Sequence, residues 1–488
     1  MKIYNEKFPK EVLWDMSIAD TARGVSLKMH EPVRKGAALV GDKAWEGEHC
    51  CYGQVIFDGE KYRLYYRGAG GNDGVWQTAN GSHSLWCVAY SYDGKTFEKP
   101  DLQIYEYNGS YHNNIIMKWG SEYLDNFSIF LDTNPDCPPE KKYKAMSGYT
   151  YNWEKDDVAL KLFTSPDGLH FTYEGDMLRG RGKFDSLNIC FWDEETGKYR
   201  LYMRDYHQLD PAKALDCEFE KHVRDIQLST SEDFVNWSDP TPLSYGDDPY
   251  EFQLYTNNIF RYPETDAFIG MPTRYVDRSV DKENFKYLPD LRGFRPMLIE
   301  KYGRSGTAIT ETMIMTSRDG QNFERTPEAF YSPGLENGEN WVYGDGYFAY
   351  GMIETESDFE GEPNELSFYV IKGYRSRPAN FERYTLRKDG FFSWRADFGG
   401  GEIVTKPFTF DGSELLLNFS TSALGYVRIE ILDEDGSAIE GYDSGRIFGN
   451  SVARPCDFTS PISALAGKPI CFKITMRDAD LYSFKFCK

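Results

Sequence analysis

Acidic residues precede a series of short runs that have the composition of β-strands. They are Glu46 and Glu48 in WEGEHC, Asp125 in YLDNF, Asp185 in KFDSLN, Glu251 in YEFQLYTNN and Asp345 in WVYGDGY. Cations end a second series of strand-like runs, namely Arg67, Arg204, Arg274 and Lys372. When two such runs are neighbouring antiparallel strands, the start of the first and the end of the second share one face. The pattern predicts a polar site in which acids and cations alternate.

Two or three carboxylates in one narrow pocket are the groups that cleavage of a glycosidic bond requires. One carboxyl group must be protonated to give its proton to the leaving oxygen, and another must be ionised to attack the anomeric carbon or activate water. A neighbouring like charge raises the pKa of one carboxyl group, and a neighbouring Arg lowers that of another. The other residues near the acids that could bind a sugar are Asn126, Tyr255, Asn257 and Trp341.

Metal and cofactor chemistry has no comparable pattern in the sequence. His49 lies beside Glu48, but no second residue stands at a metal-ligand spacing from it. The motifs HExxH, the Walker loop and GxGxxG after a strand are absent from the sequence. We therefore expect neither a metal nor a cofactor.

Two repeats indicate the elements that position the candidate residues. The first is Ser-x-Asp, usually with Gly next and an aromatic residue after it, starting at Ser91, Ser165, Ser231 and Ser317. The second is an alternating strand in five copies: KYRLYYRG from Lys61, KYKAMSGY from Lys142, KYRLYMRDY from Lys198, DAFIGMPTRY from Asp266 and ELSFYVIKGY from Glu365. Another strand-like run and a turn precede each copy. Each unit thus reads as strand, hairpin, strand, third strand, turn and fourth strand.

Repeated four-stranded units of this length are blades of a β-propeller. We predict an all-β chain with a five-bladed β-propeller over residues 45–390, followed by a β-sandwich over 391–488. Residues 1–44 hold one plausible strand, GVSLKMH, which we expect to pack on the propeller or close it. The stretch from Asp277 to Phe294 is expected to be an insertion. The sandwich shows no aromatic platform, and we expect it to be structural.

Composition excludes several classes of partner. The net charge of −22 is opposite to that of a protein which neutralises phosphates, so nucleic acid is not expected as a ligand. No apolar run approaches the length of about 20 residues that crosses a bilayer, and the N-terminus lacks the apolar core of a signal peptide. Nine Cys without CxxC pairs favour reduced thiols in a cytoplasmic protein. Self-association of the chain stays open.

The blade repeats, such as GEKYRLYYRG and SPDGLHF, and the C-terminal strands resemble the five-bladed propeller glycoside hydrolases of families 32, 43 and 68. The resemblance implies a hydrolase that cleaves a terminal fructofuranoside, arabinofuranoside or related sugar. By position, the family's base or nucleophile corresponds to Glu46, with Glu48 as the competitor. The assisting carboxylate corresponds to Asp185 and the general acid to Glu251. Asp345 would hydrogen-bond the substrate, and retention or inversion depends on a carboxylate separation that stays open.

Two other functions remain open at the level of the sequence. The Ser-x-Asp-Gly repeats also look like the Asp boxes of sialidases, and convergence of Arg67, Arg204 and Arg274 would favour an acidic sugar. If these Arg residues pair with acidic neighbours instead, a neutral furanoside or pyranoside is favoured. A propeller can also be a binding module without catalysis, because a fold does not fix a function.

Overall fold

The structure of the protein is a computed structural model. It describes residues 1–47, 51–70, 83–118, 126–152, 155, 157–217, 221–290, 293–302, 306–374 and 379–488.

Within these ranges, five antiparallel sheets form the blades of a propeller. Blade one has strands Cys51–Phe57, Tyr62–Gly70, His83–Ser91 and Ile115–Lys118, and blade two has Ser128–Leu131, Tyr143–Asn152, Asp157–Ser165 and Thr172–Arg179. Blade three has Ile189–Asp193, Lys198–Gln208, His222–Ser231 and Thr241–Pro242. Blade four has Ile259–Arg261, Phe268–Gly270 continued by Thr273–Asp277, Ala308–Ser317 and Glu324–Tyr331. The predicted all-β class and five-bladed propeller are confirmed.

Blade five combines strands from the two ends of the propeller. Ile353–Thr355, Glu365–Lys372 and Asn380–Arg387 follow one another, and the fourth strand is the N-terminal Val33–Val40, which pairs antiparallel with Asn380–Arg387. The strand expected at GVSLKMH is present as Val25–Met29. It pairs with Phe392–Ala396 in the C-terminal sheet, so the following strand closes the ring in its place.

The Ser-x-Asp-Gly repeats form the turns between the third and fourth strands of blades one to four. In each turn the Ser hydroxyl donates to the Asp carboxylate at 2.9–3.1 Å, and the residue after Asp donates its backbone N–H to the Ser oxygen at 2.9 Å. That residue has a left-handed φ of 64–74°, which explains why it is Gly in three turns and leaves Phe234 as the exception. Blade five needs no such turn because its fourth strand comes from the N-terminus.

Three of these turns also bind the preceding blade. A buried Tyr in the second strand of one blade donates its hydroxyl to the Gly carbonyl in the next turn. Tyr65 binds Gly168, Tyr202 binds Gly320 at 2.7 Å, and Tyr369 binds Gly94. The repeat therefore joins blades to one another on the face away from the strand starts.

A second set of hydrogen bonds joins the blades next to the inner strands, and it spans all five boundaries between blades. The bonds are Gln54 Nε2 to Phe127 O, Ser128 Oγ to Asn188 O, Asn257 Nδ2 to Leu187 O, Asn258 Nδ2 to Phe348 O and Tyr350 N to Gly53 O. Because these donors and acceptors are buried, each bond satisfies groups that would be costly to leave unpaired.

The C-terminal residues form one nine-stranded sheet with part of the N-terminal segment, within the described ranges. Its strands are Lys10–Val12, Ala19–Arg23, Val25–Met29, Phe392–Ala396, Gly401–Thr405, Glu414–Leu432, Ala438–Asp443, Asn450–Pro455 and Cys471–Cys487. Lys2–Tyr4 pairs in parallel with Phe408–Phe410 beside it. The side chains of both segments share one apolar core, which includes Tyr4, Trp394 and Phe484.

Helices are few among the residues that the structure describes. An α-helix spans Phe294–Tyr302, and 3-10 helices span Pro139–Lys141, Ser279–Tyr287 and Ile462–Leu465. The helix and the second 3-10 segment lie between the strands Thr273–Asp277 and Ala308–Ser317 of blade four, where the sequence indicated an insertion. In the described part of the chain, no helix has the length and apolar character needed to span a bilayer.

We predict that the turn contacts stabilise the ring. Tyr202→Phe removes the hydroxyl that donates a hydrogen bond to Gly320 O, so a buried carbonyl loses its donor. This change should lower the free energy of unfolding by about 1–3 kcal/mol. Tyr92→Phe is the matched control because Tyr92 is 75% exposed. Equilibrium urea unfolding measures both, and equal stability of the two variants would contradict a role for the contact.

Candidate active site

Five tyrosines from blade one, blade four and the segment that leads into blade five meet in one buried cluster, which we call the axial tyrosines. They are Tyr52, Tyr255, Tyr275, Tyr343 and Tyr347. Tyr347 stacks between Tyr52 and Tyr255, with ring centroids 6.1 and 5.8 Å away. The Tyr343 hydroxyl donates to the Tyr255 hydroxyl at 2.8 Å. Burial raises the pKa of Tyr52, Tyr255 and Tyr347 well above the usual phenol value, so these rings are neutral.

Asp185 is an exposed carboxylate beside this cluster. It precedes the first strand of blade three, and its charge acts on both Tyr52 of blade one and Tyr255 of blade four. Blades one and three are not neighbours in a five-membered ring, so residues from both can interact only near the centre. Asp185 therefore lies at the opening of the central axis.

Arg204 lies directly below Asp185 and is only 2% exposed. Its guanidinium donates to the main-chain oxygen of Asp185 and, at 3.3 Å, to the hydroxyl of Tyr206. It also lies 4.5 Å from the centroid of the Tyr255 ring. Burial disfavours the charged form of Arg204 and lowers its pKa. The electrostatic interactions with Tyr206, Asp185 and Tyr255 have the opposite effect and together raise the pKa. The opening thus combines an accessible carboxylate with a fixed buried cation.

Two other predicted residues, Asn126 and Arg67, also lie at the opening of the central axis. Asn126 Nδ2 lies 3.5 Å from Asp185 Oδ1, and the Arg67 guanidinium lies 5.0 Å from the Tyr52 ring centroid. The structure therefore brings together Arg67, Asn126, Asp185, Arg204 and Tyr255 from the residues that the sequence analysis selected.

Glu251 lies on the same face in a cluster with His207. Its Oε2 is 3.0 Å from His207 Nε2, and the other ring nitrogen, Nδ1, is 3.0 Å from Asp225 Oδ2. Asp225 also accepts the Tyr245 hydroxyl at 2.6 Å. His207 follows Tyr206, the residue that Arg204 contacts, on the second strand of blade three.

The position of His207 between two carboxylates implies a stored proton. An imidazole donates from both nitrogens only as the imidazolium, and a neutral ring could satisfy both contacts only if one carboxyl group were protonated. In either form the cluster holds one proton more than a neutral His with two carboxylates. The hydrogen bond to Asp225 is the main cause that raises the pKa of His207, and Glu251 adds to it. Such a cluster can supply a proton near neutral pH.

Glu46 lies elsewhere and is not brought together with Asp185. Its carboxylate is completely buried and receives hydrogen bonds from Tyr66 at 2.7 Å, Lys99 at 2.8 Å and the backbone N–H of Lys43 at 2.8 Å. These contacts connect Glu46 to the second strand of blade one at Tyr66 and to Lys99, in the segment between the third and fourth strands.

Three further predicted substrate-binding residues have structural partners. Arg274 binds Glu311 through Nε at 2.8 Å and Nη2 at 2.5 Å, on the second and third strands of blade four. Asn257 donates to the carbonyls of Leu187 and Tyr202 in blade three. The Trp341 indole donates to Gly334 O at 2.9 Å within its own loop. The structure thus does not bring Arg274 together with Arg67 and Arg204.

Asp345 is buried and forms an ion pair with Lys372, whose Nζ lies 2.5 Å from Oδ2. Burial raises the pKa of Asp345, and Lys372 opposes that effect. Asp345 lies between two axial tyrosines in the chain, but its carboxylate faces the boundary between blades four and five.

Three acidic or metal-ligating candidates, Glu48, His49 and Asp125, lie outside the described residues. Across the ranges that the structure does describe, no group of three or more His, Cys, Asp and Glu residues is arranged to hold a metal ion.

Several residues of the site were not predicted from the sequence, including His207, Asp225, Arg224 and most axial tyrosines. Arg224 lies on the third strand of blade three, 5.1 Å from the Tyr275 ring centroid. A usable signal was present for the tyrosines, since Tyr52, Tyr255 and Tyr347 each begin the run that leads into an inner strand. His207 directly follows the MRDY end of a second-strand repeat.

Neither a protein-family model nor a curated protein sequence matches the chain. The chain is similar to the solved structure of an N-acetylgalactosamine deacetylase from F. plautii in complex with blood group B trisaccharide. The identity is 12%, the match covers 75% of this chain and 96% of that chain, and the TM-score is 0.45.

Two further solved structures are similar to the chain over a comparable share of its length. One is a structure from glycoside hydrolase family 130, a family of mannoside phosphorylases that contains glycoside hydrolases targeting β-1,2 mannosidic linkages in Candida mannan. Its identity is 14%, the match covers 73% of this chain and 94% of that chain, and the TM-score is 0.41. The other is the catalytic domain of a family 62 α-L-arabinofuranosidase from Coprinopsis cinerea (9% identity, 73% and 97% covered, TM-score 0.39). At this level of similarity, the function of this chain has to be argued from its own residues.

We predict that His207 titrates above the usual value of about 6.5 for histidine. Because its pKa is raised in the folded protein, its contribution to stability is complete below about pH 6.5 and is lost as the pH rises through the folded value. NMR titration of labelled histidine measures the pKa, with His207→Gln to assign the signal. Asp225→Asn should lower it, and a His207 pKa that this variant leaves unchanged would contradict the proposed cluster.

Proposed function

We propose that this protein is a glycoside hydrolase whose reaction takes place at the opening of the central axis. The observation that carries this proposal is the exposed Asp185 carboxylate held beside buried Arg204 and the axial tyrosines. A carboxylate at an aromatic-lined opening suits a sugar, whose hydroxyls need hydrogen bonds and whose ring faces pack on aromatic groups.

Asp185 is proposed to act in its ionised form, either attacking the anomeric carbon or activating water. The positive charge that builds up on the sugar in the oxocarbenium-like transition state is stabilised by a nearby carboxylate. Arg204 holds the main chain at Asp185 and supplies a compensating charge from below. Asn126 is proposed to orient the carboxylate through its 3.5 Å contact.

Glu251 is proposed to deliver the proton to the leaving oxygen, with His207 as the positioning residue. The shared proton of the Glu251–His207–Asp225 cluster supports this role, because a general acid must carry its proton at the working pH. Tyr245 fixes Asp225 from the opposite side. Glu46, buried in its own network of donors, is not included in this mechanism.

A neutral terminal sugar is the proposed substrate. An acidic sugar would be favoured by three converging Arg residues, but Arg274 is bound to Glu311 and Arg204 faces Asp185. Of the three Arg residues whose convergence would favour an acidic sugar, only Arg67 and Arg204 reach the axial tyrosines, which supports a fructofuranoside, arabinofuranoside or neutral pyranoside over a sialoside.

A screen of aryl glycosides tests the proposed activity directly. The panel comprises fructofuranosides, arabinofuranosides, common pyranosides and sialosides, and we expect turnover of at least one neutral member. Asp185→Asn removes the negative charge with little change in size and should lower kcat on that substrate by about 10²–10⁴-fold.

Asp239→Asn is the matched control because the Asp239 side chain is 94% exposed at a distance from the axis. Its kcat should equal that of the unchanged protein. Absence of turnover across the panel, or full activity of Asp185→Asn, would contradict the proposal.

The role of Glu251 is tested by varying the leaving group. Glu251→Gln cannot donate a proton, so kcat should fall about 10²–10⁴-fold on a substrate with a poor leaving group such as methanol. A 2,4-dinitrophenyl glycoside of the same sugar needs no protonation of its leaving group, so its kcat/KM, which reports the steps up to the departure of that group, should change little. Glu283→Gln, at an 83% exposed side chain, is the control. Equal losses on both substrates would contradict an acid role for Glu251.

A further inference from the structure

A cleft of about 510 Å³ lies between blades four and five, outside the axial opening. Its walls come from the outer strand of blade four at Tyr331, the loop 332–340, Lys372, and the outer strands of blade five at Arg34, Glu382 and Tyr384. This volume lies within the range of about 300–1,000 Å³ that is usual for small-ligand sites.

One wall of the cleft is an irregular loop that is held in a single shape. Asn340 donates to the carbonyls of Pro333 and Leu335 at 2.9 and 2.7 Å and accepts the backbone N–H of Asn337 at 2.8 Å. Arg295, in the α-helix of the blade-four insertion, donates to Asn340 O at 2.7 Å. A preformed wall lowers the ordering cost of binding a ligand.

The opposite wall presents aromatic edges and fixed polar groups. Tyr331 and Tyr384 meet edge to face with ring centroids 5.4 Å apart. Arg34 binds Glu382 at two points, 2.6 and 2.8 Å, and Lys372 donates to the Tyr331 hydroxyl at 2.8 Å. Rings with hydrogen-bonding groups beside them are the combination that holds a sugar in place.

The charges of the cleft disfavour an anionic ligand. Arg34 is paired with Glu382 and Lys372 with Asp345, so the inner cations are compensated. The exposed residues Glu31 and Glu336 line the cleft and would repel an anion.

We propose that this cleft is a second saccharide-binding site, which takes a neutral, hydroxyl-rich sugar unit. The site is separate from the chemistry at Asp185 and does not depend on the proposed hydrolysis. A sugar ring lies against Tyr331 and Tyr384 with its hydroxyls on Arg34 and Glu382.

Binding is measured by saturation-transfer NMR and titration with methyl glycosides of glucose, galactose, mannose, xylose, arabinofuranose and fructofuranose. Methyl glucuronide and glucosamine are the charged comparators. Ser332 is exposed on the cleft wall, and Ser332→Trp fills the cleft from the solvent side. We expect at least one neutral glycoside to bind, and Ser332→Trp to weaken its Kd about tenfold or more.

Ser437→Trp, at an exposed turn of the C-terminal sheet, is the matched control and should bind as the unchanged protein does. Arg34→Gln, at a side chain that is 63% exposed, should weaken binding without filling the cleft. Thermal unfolding checks that each variant is folded, and hydrolysis of the aryl glycosides should be unchanged in Ser332→Trp. Binding of no neutral glycoside, binding only of a charged comparator, or equal binding by Ser332→Trp and Ser437→Trp would overturn the proposal.

Discussion

The pairing of Val33–Val40 with Asn380–Arg387 is the constraint on which the rest of the structure depends. It closes the ring with strands from the two ends of the propeller, and the hydrogen bonds between inner strands can span all five boundaries only in a closed ring. The same pairing brings Arg34 beside Glu382, and thereby forms one wall of the cleft between blades four and five. N-terminal and C-terminal parts of the chain therefore act together to hold the fold.

Closure also creates the electrostatic environment of the axial opening. Tyr52, Asp185, Tyr255 and Tyr347 come from widely separated parts of the chain, and each lies at the start of an inner strand or just before it. Arg204 is buried among them, where its charge is balanced by Asp185 and by the faces of neutral rings. A charge that is desolvated in this way cannot reorient at low cost, so the carboxylate above it has a fixed partner.

Much of the fold was predictable because each blade repeats a local pattern. Ser-x-Asp-Gly makes its own turn through side-chain contacts within a few residues, so it is readable from sequence alone. The strand that closes the ring could not be predicted from the sequence. Val25–Met29 and Val33–Val40 both have the alternating pattern of a β-strand, and only tertiary pairing decides which one joins blade five. Closure by the N-terminal strand explains why four of these turns accompany five blades.

The site was predictable only in part, for a physical reason. A residue at the end of a strand can face the axis, the neighbouring blade or its own sheet, and the spacing along the chain does not distinguish these directions. Asp185 and Arg204 face the axis, whereas Glu46 faces Lys99 and Arg274 faces Glu311. His207 and Asp225 belong to adjacent strands of one blade, and their contact depends on strand register, which the sequence does not show.

A crystal structure of the protein soaked with the monosaccharide that it releases would test the central claim most directly. We expect a sugar ring in the axial opening, with its anomeric carbon about 3–3.5 Å from an Asp185 carboxylate oxygen and one face toward Tyr255. A released sugar that binds elsewhere and leaves the axial opening without density would contradict it.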